Sequence, residues 1–164
     1  MNKIYASPFI FGFLLFTSFL SAQNFSTSGL VGEKLGNPTS LQFGPNGKLY
    51  VSVQLGTIWE YTVTRDDAAA GNGTYSVVDA VAINNINTIT NHNDDGTAIA
   101  TMRRQITGIY VGGTAANPVI YASSSDSRQG AAEGGTDSNL DTNSGMLSRL
   151  SWNGSGWDLS LIHI

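Results

Sequence analysis

Residues 43–61 read FGPNGKLYVSVQLGTIWEY, and their pattern decides the fold. An apolar run ends at Phe43. GPNG follows at 44–47, and a second run, LYVSV, fills 49–53. Pro45 presets its own φ and Asn46-Gly47 tolerates positive φ, so a tight hairpin turn joins the two runs. Gly56 marks the next break. In TIWEYTV (57–63), Ile58, Glu60 and Thr62 oppose Trp59, Tyr61 and Val63, the period of two that a strand requires. Working outward, SLQF (40–43) is the strand before the turn. YSVVDAVAI (75–83) is a fourth strand, beyond the loop DDAAAGNG (66–73). Four consecutive strands with short connections predict an antiparallel meander. Residues 24–36 show no clear period and read as a lead-in.

A second unit follows the polar stretch NNINTITNHNDDGT (84–97). QITGIYV (105–111) parallels TSLQF. PVIYASS (118–124) parallels GKLYVSV, with Tyr121 at the place of Tyr50. SGMLSRLSW (144–152) parallels LGTIWEYTV, with Gly145 matching Gly56 and Leu147 matching Ile58. GWDLSL begins a fourth strand. The offsets differ because the second unit carries a long insertion, DSRQGAAEGGTDSNLDTN (126–143). Repeated sheet units predict an all-β chain and a partial β-propeller of about two four-stranded antiparallel blades. The alternative is an ordinary sandwich.

Composition agrees. Charged residues make up only 12% of the 164, and there are 19 glycines, a turn-rich β composition rather than a helical one. The net charge of −4 and the lack of any basic run exclude a nucleic-acid surface. Cysteine is absent, so there is no disulfide framework and no thiolate chemistry.

The N-terminus carries an address. Lys3 precedes the apolar run PFIFGFLLFTSFL (8–20), and small Ser21 and Ala22 precede Gln23. This is the pattern of a secretory signal peptide spanning residues 1–22, cut after Ala22. The run is too short to favour a membrane span of about 20 residues. The chain is therefore expected to be secreted or held at the cell surface, without a membrane span once the signal is removed. At the other end, LSLIHI (159–164) is what CTG-TCT-CTT-ATA-CAC-ATC encodes. That string resembles a mosaic-end adapter of transposase-based sequencing libraries, so these six residues are expected to be adapter-derived. The alternative is an apolar strand, DLSLIHI, closing the second blade. Two blades leave a sheet edge and an apolar face uncovered, so residues 23–158 are expected to be the N-terminal part of a longer propeller.

NPTSLQFGPNGKLYVSVQLGTIWEYTV resembles the opening blade of the PQQ-dependent glucose/sorbosone dehydrogenase-like propellers. RQITGIYV, NPVIYASSSD and DTNSGMLSRLSWNGSGWD resemble its continuation, so the likeness covers about residues 36–158. The resemblance implies six blades, pyrroloquinoline quinone (PQQ) and calcium held by loops on one face, and sugar oxidation by hydride transfer to the quinone. It also implies a histidine base in a short segment followed by Gly and an apolar strand, and this sequence shows no such segment. The competing function is a non-catalytic cell-surface propeller that binds carbohydrate or protein.

Several residues could carry chemistry. His92, with Asn91, Asn93, Asp94 and Asp95, is either a base or metal ligand or part of a solvated loop. Arg103 and Arg104 precede an inner strand. Arg104 could face a central channel and bind an anionic cofactor, or the pair could close a surface loop. Asp126, Asp137, Asn139 and Asp141, with Asn143, place oxygens at spacings that suit a hard cation such as calcium, or else belong to a metal-less loop. Trp59, Trp152 and Trp157 read as sheet-packing aromatics rather than a sugar platform. No GxSxG elbow, HExxH or phosphate loop is present. If the leader reading is right, the protein recovered from a secreting host begins at Gln23 by N-terminal sequencing. Recovery with Met1 retained would overturn it.

Overall fold

The computed structural model describes residues 29–66, 73–93, 95–99, 103–127 and 145–162. Its strands in chain order are β1 (Leu30–Val31), β2 (Pro38–Phe43), β3 (Leu49–Val53), β4 (Ile58–Arg65), β5 (Tyr75–Ile83), β6 (Asn91–His92), β7 (Ala98–Ile99), β8 (Arg104–Gly113), β9 (Pro118–Asp126), β10 (Met146–Trp152) and β11 (Trp157–Ile162). One 3-10 turn spans Asn85–Thr88, and no α-helix occurs among the described residues. None of them forms a helix long and apolar enough to cross a membrane. The expected signal (1–22) and His163 lie outside the described residues.

The GPNG turn forms as its residues dictate. The Gly44 N–H donates to Lys48 O at 2.9 Å and the Gly47 N–H to Gly44 O at 3.0 Å. Gly47 has φ +75°, the left-handed region where glycine rests without strain. Asn46 caps the turn twice: its Oδ1 accepts from the Lys48 N–H at 3.3 Å and its Nδ2 donates to Tyr50 Oη at 2.9 Å. Phe43 therefore pairs with Leu49, and Gln42 with Tyr50.

Strands β2 to β5 run antiparallel in sequence order, as do β8 to β11. These are the two four-stranded meanders expected, and the fold is all-β, with its sheets stacked as successive blades of a partial β-propeller. Two features had no sequence signal. The lead-in supplies β1, which pairs parallel to β5 and makes the first sheet five-stranded, and β6 and β7 form a small ladder of their own. The last residues take the strand position: Leu159 pairs with Leu150 and Ile162 with Leu147 within β11.

The repeat holds residue by residue. β2 carries a bulge at Thr39, where Thr39 Oγ1 and Ser52 Oγ lie 2.9 Å apart and Ser52 Oγ donates to Ser40 O. β8 carries a bulge at Thr107, where Thr107 Oγ1 and Ser123 Oγ lie 2.9 Å apart and Ser123 Oγ donates to Gly108 O. From these twin hydroxyl pairs the two ladders run in the same register. Tyr50 opposite Glu60 corresponds to Tyr121 opposite Arg149, and Ser52 opposite Ile58 to Ser123 opposite Leu147. The expected matches of Tyr50 with Tyr121 and Ile58 with Leu147 are structural equivalences.

The sheets pack through one face each. Tyr50 and Ile58 from the first meet Ile106, Val111, Ile120, Ala122 and Leu150 from the second. Ile83 and Ile86, from the end of β5 and the turn after it, close the cluster. Each such buried Ile or Leu contributes about 1.5–3 kcal/mol. Along β9 every second residue is buried, the signature of a sheet with one covered face. β3 is buried throughout, because its other face packs Leu49 and Val51 with Tyr61, Trp59 and Leu30 of the lead-in. The chain crosses from the outer strand β5 to the inner strand β8, and the Asn85 side chain ties that crossover to Trp157 O at 2.7 Å.

Gly56 and Gly145 hold equivalent places before β4 and β10 but differ in surroundings. Gly56 has φ +82°, and a Cβ there would run into Asn87 Oδ1 and lie 2.7 Å from Arg104 O. Gly145 has nothing within 4 Å of such a Cβ. Gly56→Ala is therefore expected to destabilise by about 1–3 kcal/mol, and Gly145→Ala by less than about 0.5 kcal/mol. Urea unfolding checks both, and equal effects would contradict the geometry.

Candidate functional site

Two places gather polar chemistry, one at each end of the sheet stack. The first lies where β8 begins and β9 ends. Arg104 pairs in register with Asp126, and both are buried. The β6–β7 ladder brings Asn91 to the same spot, also buried. Arg104 is only 2% exposed. Its Nε donates to Ser124 Oγ at 3.1 Å, its Nη2 to Ser124 O at 3.2 Å, and its Nη1 to Asn91 Oδ1 at 2.9 Å. The planar fork of arginine suits such a three-point attachment, which a lysine could not reproduce.

Of the two settings expected for the arginine pair, Arg103 takes the surface one. Arg104 instead points inward and clamps β6 to β9. Asp126 sits at the last position of β9. Asp137, Asn139 and Asp141 of the expected calcium group, with Asn143, lie outside the described residues. His92 ends β6 with an exposed side chain, beside a hollow of about 370 Å³ formed with Ile89, Met146, Leu159 and Leu161. The Asp95 carboxyl is held below its ordinary range by the Thr97 N–H, which donates to it at 2.9 Å. Among the described residues, no three His, Asp or Glu side chains gather as a metal group.

The second place is a cleft of about 270 Å³ between the sheets, at the end that carries the GPNG turn. Lys48 Nζ meets Glu60 Oε1 at 2.6 Å on one wall. Glu60 is 9% exposed, so the pair is partly withdrawn from water. The opposite wall is Trp152 and Trp157, half-buried and edge-to-face with centroids 5.7 Å apart. Trp157 also meets the Tyr50 ring edge-to-face at 6.2 Å. Asn46, Val81, Ala115, Ala116 and Pro118 complete the lining. Burial pushes the Tyr50 hydroxyl well above the ordinary tyrosine range. The Asn46 amide partly opposes this, and the nearby Glu60 charge reinforces it. Tyr50 therefore stays a neutral hydroxyl.

The cleft joins flat apolar rings to a carboxylate, an ammonium and an amide. That set can grip a small hydroxylated ring, with the faces on indole and the hydroxyls on the polar groups. The tryptophans thus serve packing and lining together. Trp59, by contrast, stacks on Tyr61 at 6.0 Å with Lys34 over its ring, and only packs. As site residues, Lys48, Glu60 and Asn46 had no sequence signal of their own. The only signal was the GPNGK turn, which sets Lys48 one residue before the strand opposite Glu60.

No protein family, curated protein or solved structure matches the chain.

Because Arg104 ties three segments from a buried position, Arg104→Met is expected to cost about 2–4 kcal/mol of stability, read by urea unfolding. A loss below about 0.5 kcal/mol would mean that the clamp contributes little and that the arginine is kept for another purpose.

Proposed function

We propose that this chain supplies two blades of an exported propeller that binds carbohydrate, with the cleft between Trp152, Trp157, Lys48 and Glu60 as the sugar site. The observation that carries this reading is the pairing of two indole rings with a partly buried ion pair in a cleft of about 270 Å³. A monosaccharide ring is of a size to enter it, and its polar groups would replace water on Glu60, Lys48 and Asn46.

The second reading is that the parent propeller is a quinone-dependent sugar dehydrogenase. It is supported by the ordered resemblance over residues 36–158 and by the meeting of Asn91, the start of β8 and the end of β9 around Arg104 and Asp126. The described residues do not fit PQQ or calcium by themselves. Arg104 is buried with three donors engaged inside the protein, and Asp126 belongs to no group of three His, Asp or Glu side chains among the described residues. This reading therefore rests on residues other than those two.

One set of measurements separates the readings. Tryptophan fluorescence is followed while aldoses are added, and dye reduction is followed with the same sugars, PQQ and calcium. Binding predicts a saturable fluorescence change that Trp152→Ala abolishes, with no dye reduction. Dye reduction that survives Trp152→Ala would favour the dehydrogenase. No response to any sugar in either assay would overturn both.

A further inference from the structure

The ion pair on the wall of the tryptophan cleft differs from an ordinary surface pair. Lys48 stands one residue before β3, and Glu60 lies in β4 directly across from Tyr50. The Glu60 side chain is 10% exposed and that of Lys48 33%. The buried Tyr50 hydroxyl lies against the Glu60 carboxylate. That hydroxyl accepts from Asn46 Nδ2 at 2.9 Å, which leaves its own proton for the carboxylate. Amide, hydroxyl, carboxylate and ammonium thus form one polar chain, from Asn46 through Tyr50 and Glu60 to Lys48. It starts at the GPNG turn and holds Glu60 from behind.

What this chain presents to the cleft is an acceptor and a donor side by side, with Oε1 and Nζ 2.6 Å apart. Two gauche hydroxyls on adjacent carbons of a pyranose stand about one hydrogen-bond length apart. One can donate to Glu60 while its neighbour accepts from Lys48. The pair also discriminates by charge. A ligand carboxylate competes with Glu60 for Lys48, and a ligand ammonium competes with Lys48 for Glu60. Either leaves a partly buried charge without its partner. Lys48 and Glu60 come from the first sheet and Trp152 and Trp157 from the second, so the cleft belongs to the join between them.

We infer that the cleft selects an uncharged pyranose by a vicinal pair of hydroxyls. One donates to Glu60, the next accepts from Lys48, and the C–H surface of the ring turns toward Trp152 and Trp157. This rests on the carbohydrate reading of the cleft and adds which sugars it takes. A site whose polar groups are set in advance to meet two hydroxyls rejects an analogue that lacks one of them, because the group left over is desolvated without a partner.

Tryptophan fluorescence titrations with methyl glucoside and its 2-, 3- and 4-deoxy analogues test this. Removing the 2- or the 4-hydroxyl leaves one vicinal pair on the ring, and removing the 3-hydroxyl leaves none. The 3-deoxy analogue is expected to bind at least about tenfold more weakly than methyl glucoside, and one or both of the others within about threefold of it. Methyl glucuronide and the methyl glycoside of glucosamine are expected to bind more weakly than methyl glucoside. Lys48→Met removes the ammonium and leaves Glu60 to a ligand cation. In that variant the amino sugar is expected to become the tightest ligand, and methyl glucoside and its 3-deoxy analogue to converge. The deoxy series needs no variant, so it decides even where Lys48→Met fails to fold. Equal binding of methyl glucoside and its 3-deoxy analogue to the wild-type chain would overturn the inference and leave the carbohydrate reading standing. An unchanged order of ligands in a folded Lys48→Met chain would do the same. No response to any of these sugars would sink both.

Discussion

The structure depends on the contact of one sheet with the next. A single four-stranded meander has two faces and cannot bury both alone. Here the Tyr50 and Ile58 face is buried only because Ile120, Ala122 and Leu150 of the second sheet cover it. Gln42 fixes the distance at which this happens. Its amide pairs with both backbone groups of Val111, as a further ladder residue would, and so joins the inner strands β2 and β8. The cleft, the buried Arg104 and the crossover are all arranged around that join.

The repeated bulges explain how two sheets of different sequence reach the same register. A bulge puts one extra residue on a strand and twists it. At Thr39 and Thr107 that residue is a threonine whose hydroxyl meets a serine on the partner strand. Slipping either ladder by one residue would break the hydroxyl pair and turn the apolar face outward. The bulges are therefore register pins. Between them and the hairpin turns, the four strands of each unit have one workable alignment.

Much of this was legible in the sequence because it is local. GPNG forces its own turn, and period-two alternation marks TIWEYTV, so the strands Leu49–Val53 and Tyr75–Ile83 are found at the bounds read from the residues. The match of Tyr50 with Tyr121 also needed only pattern. What was not legible is what depends on distant partners. Leu30–Val31 becomes a strand only because the edge of β5 is there to pair with. Arg104 and Arg103 are neighbours of one type, and only the arrival of Asn91 and Ser124 decides that one is buried and the other not. Lys48 and Glu60 lie 12 residues apart, and the antiparallel pairing of β3 with β4 makes them an ion pair. Asp137, Asn139 and Asp141 fall outside the described residues, so the calcium group stays an expectation from spacing.

Ser148 shows how the shared sheet contact overrides a residue's own preference. Its equivalent in the first sheet is Trp59, since Trp59 pairs with Val51 as Ser148 pairs with Ala122. Trp59 faces away from the second sheet and has room to stack on Tyr61. Ser148 faces into the gap between the sheets, is fully buried, and its hydroxyl has no hydrogen-bond partner. A buried hydroxyl without a partner costs about 1–3 kcal/mol. The small side chain nonetheless fits where an indole could not, because Ala122 beside it is also small and the two leave space for the Tyr50 and Ile58 face to approach. The same ladder position thus carries the bulkiest side chain in one sheet and one of the smallest in the other. Pairing register is common to both, and the neighbouring sheet sets the size.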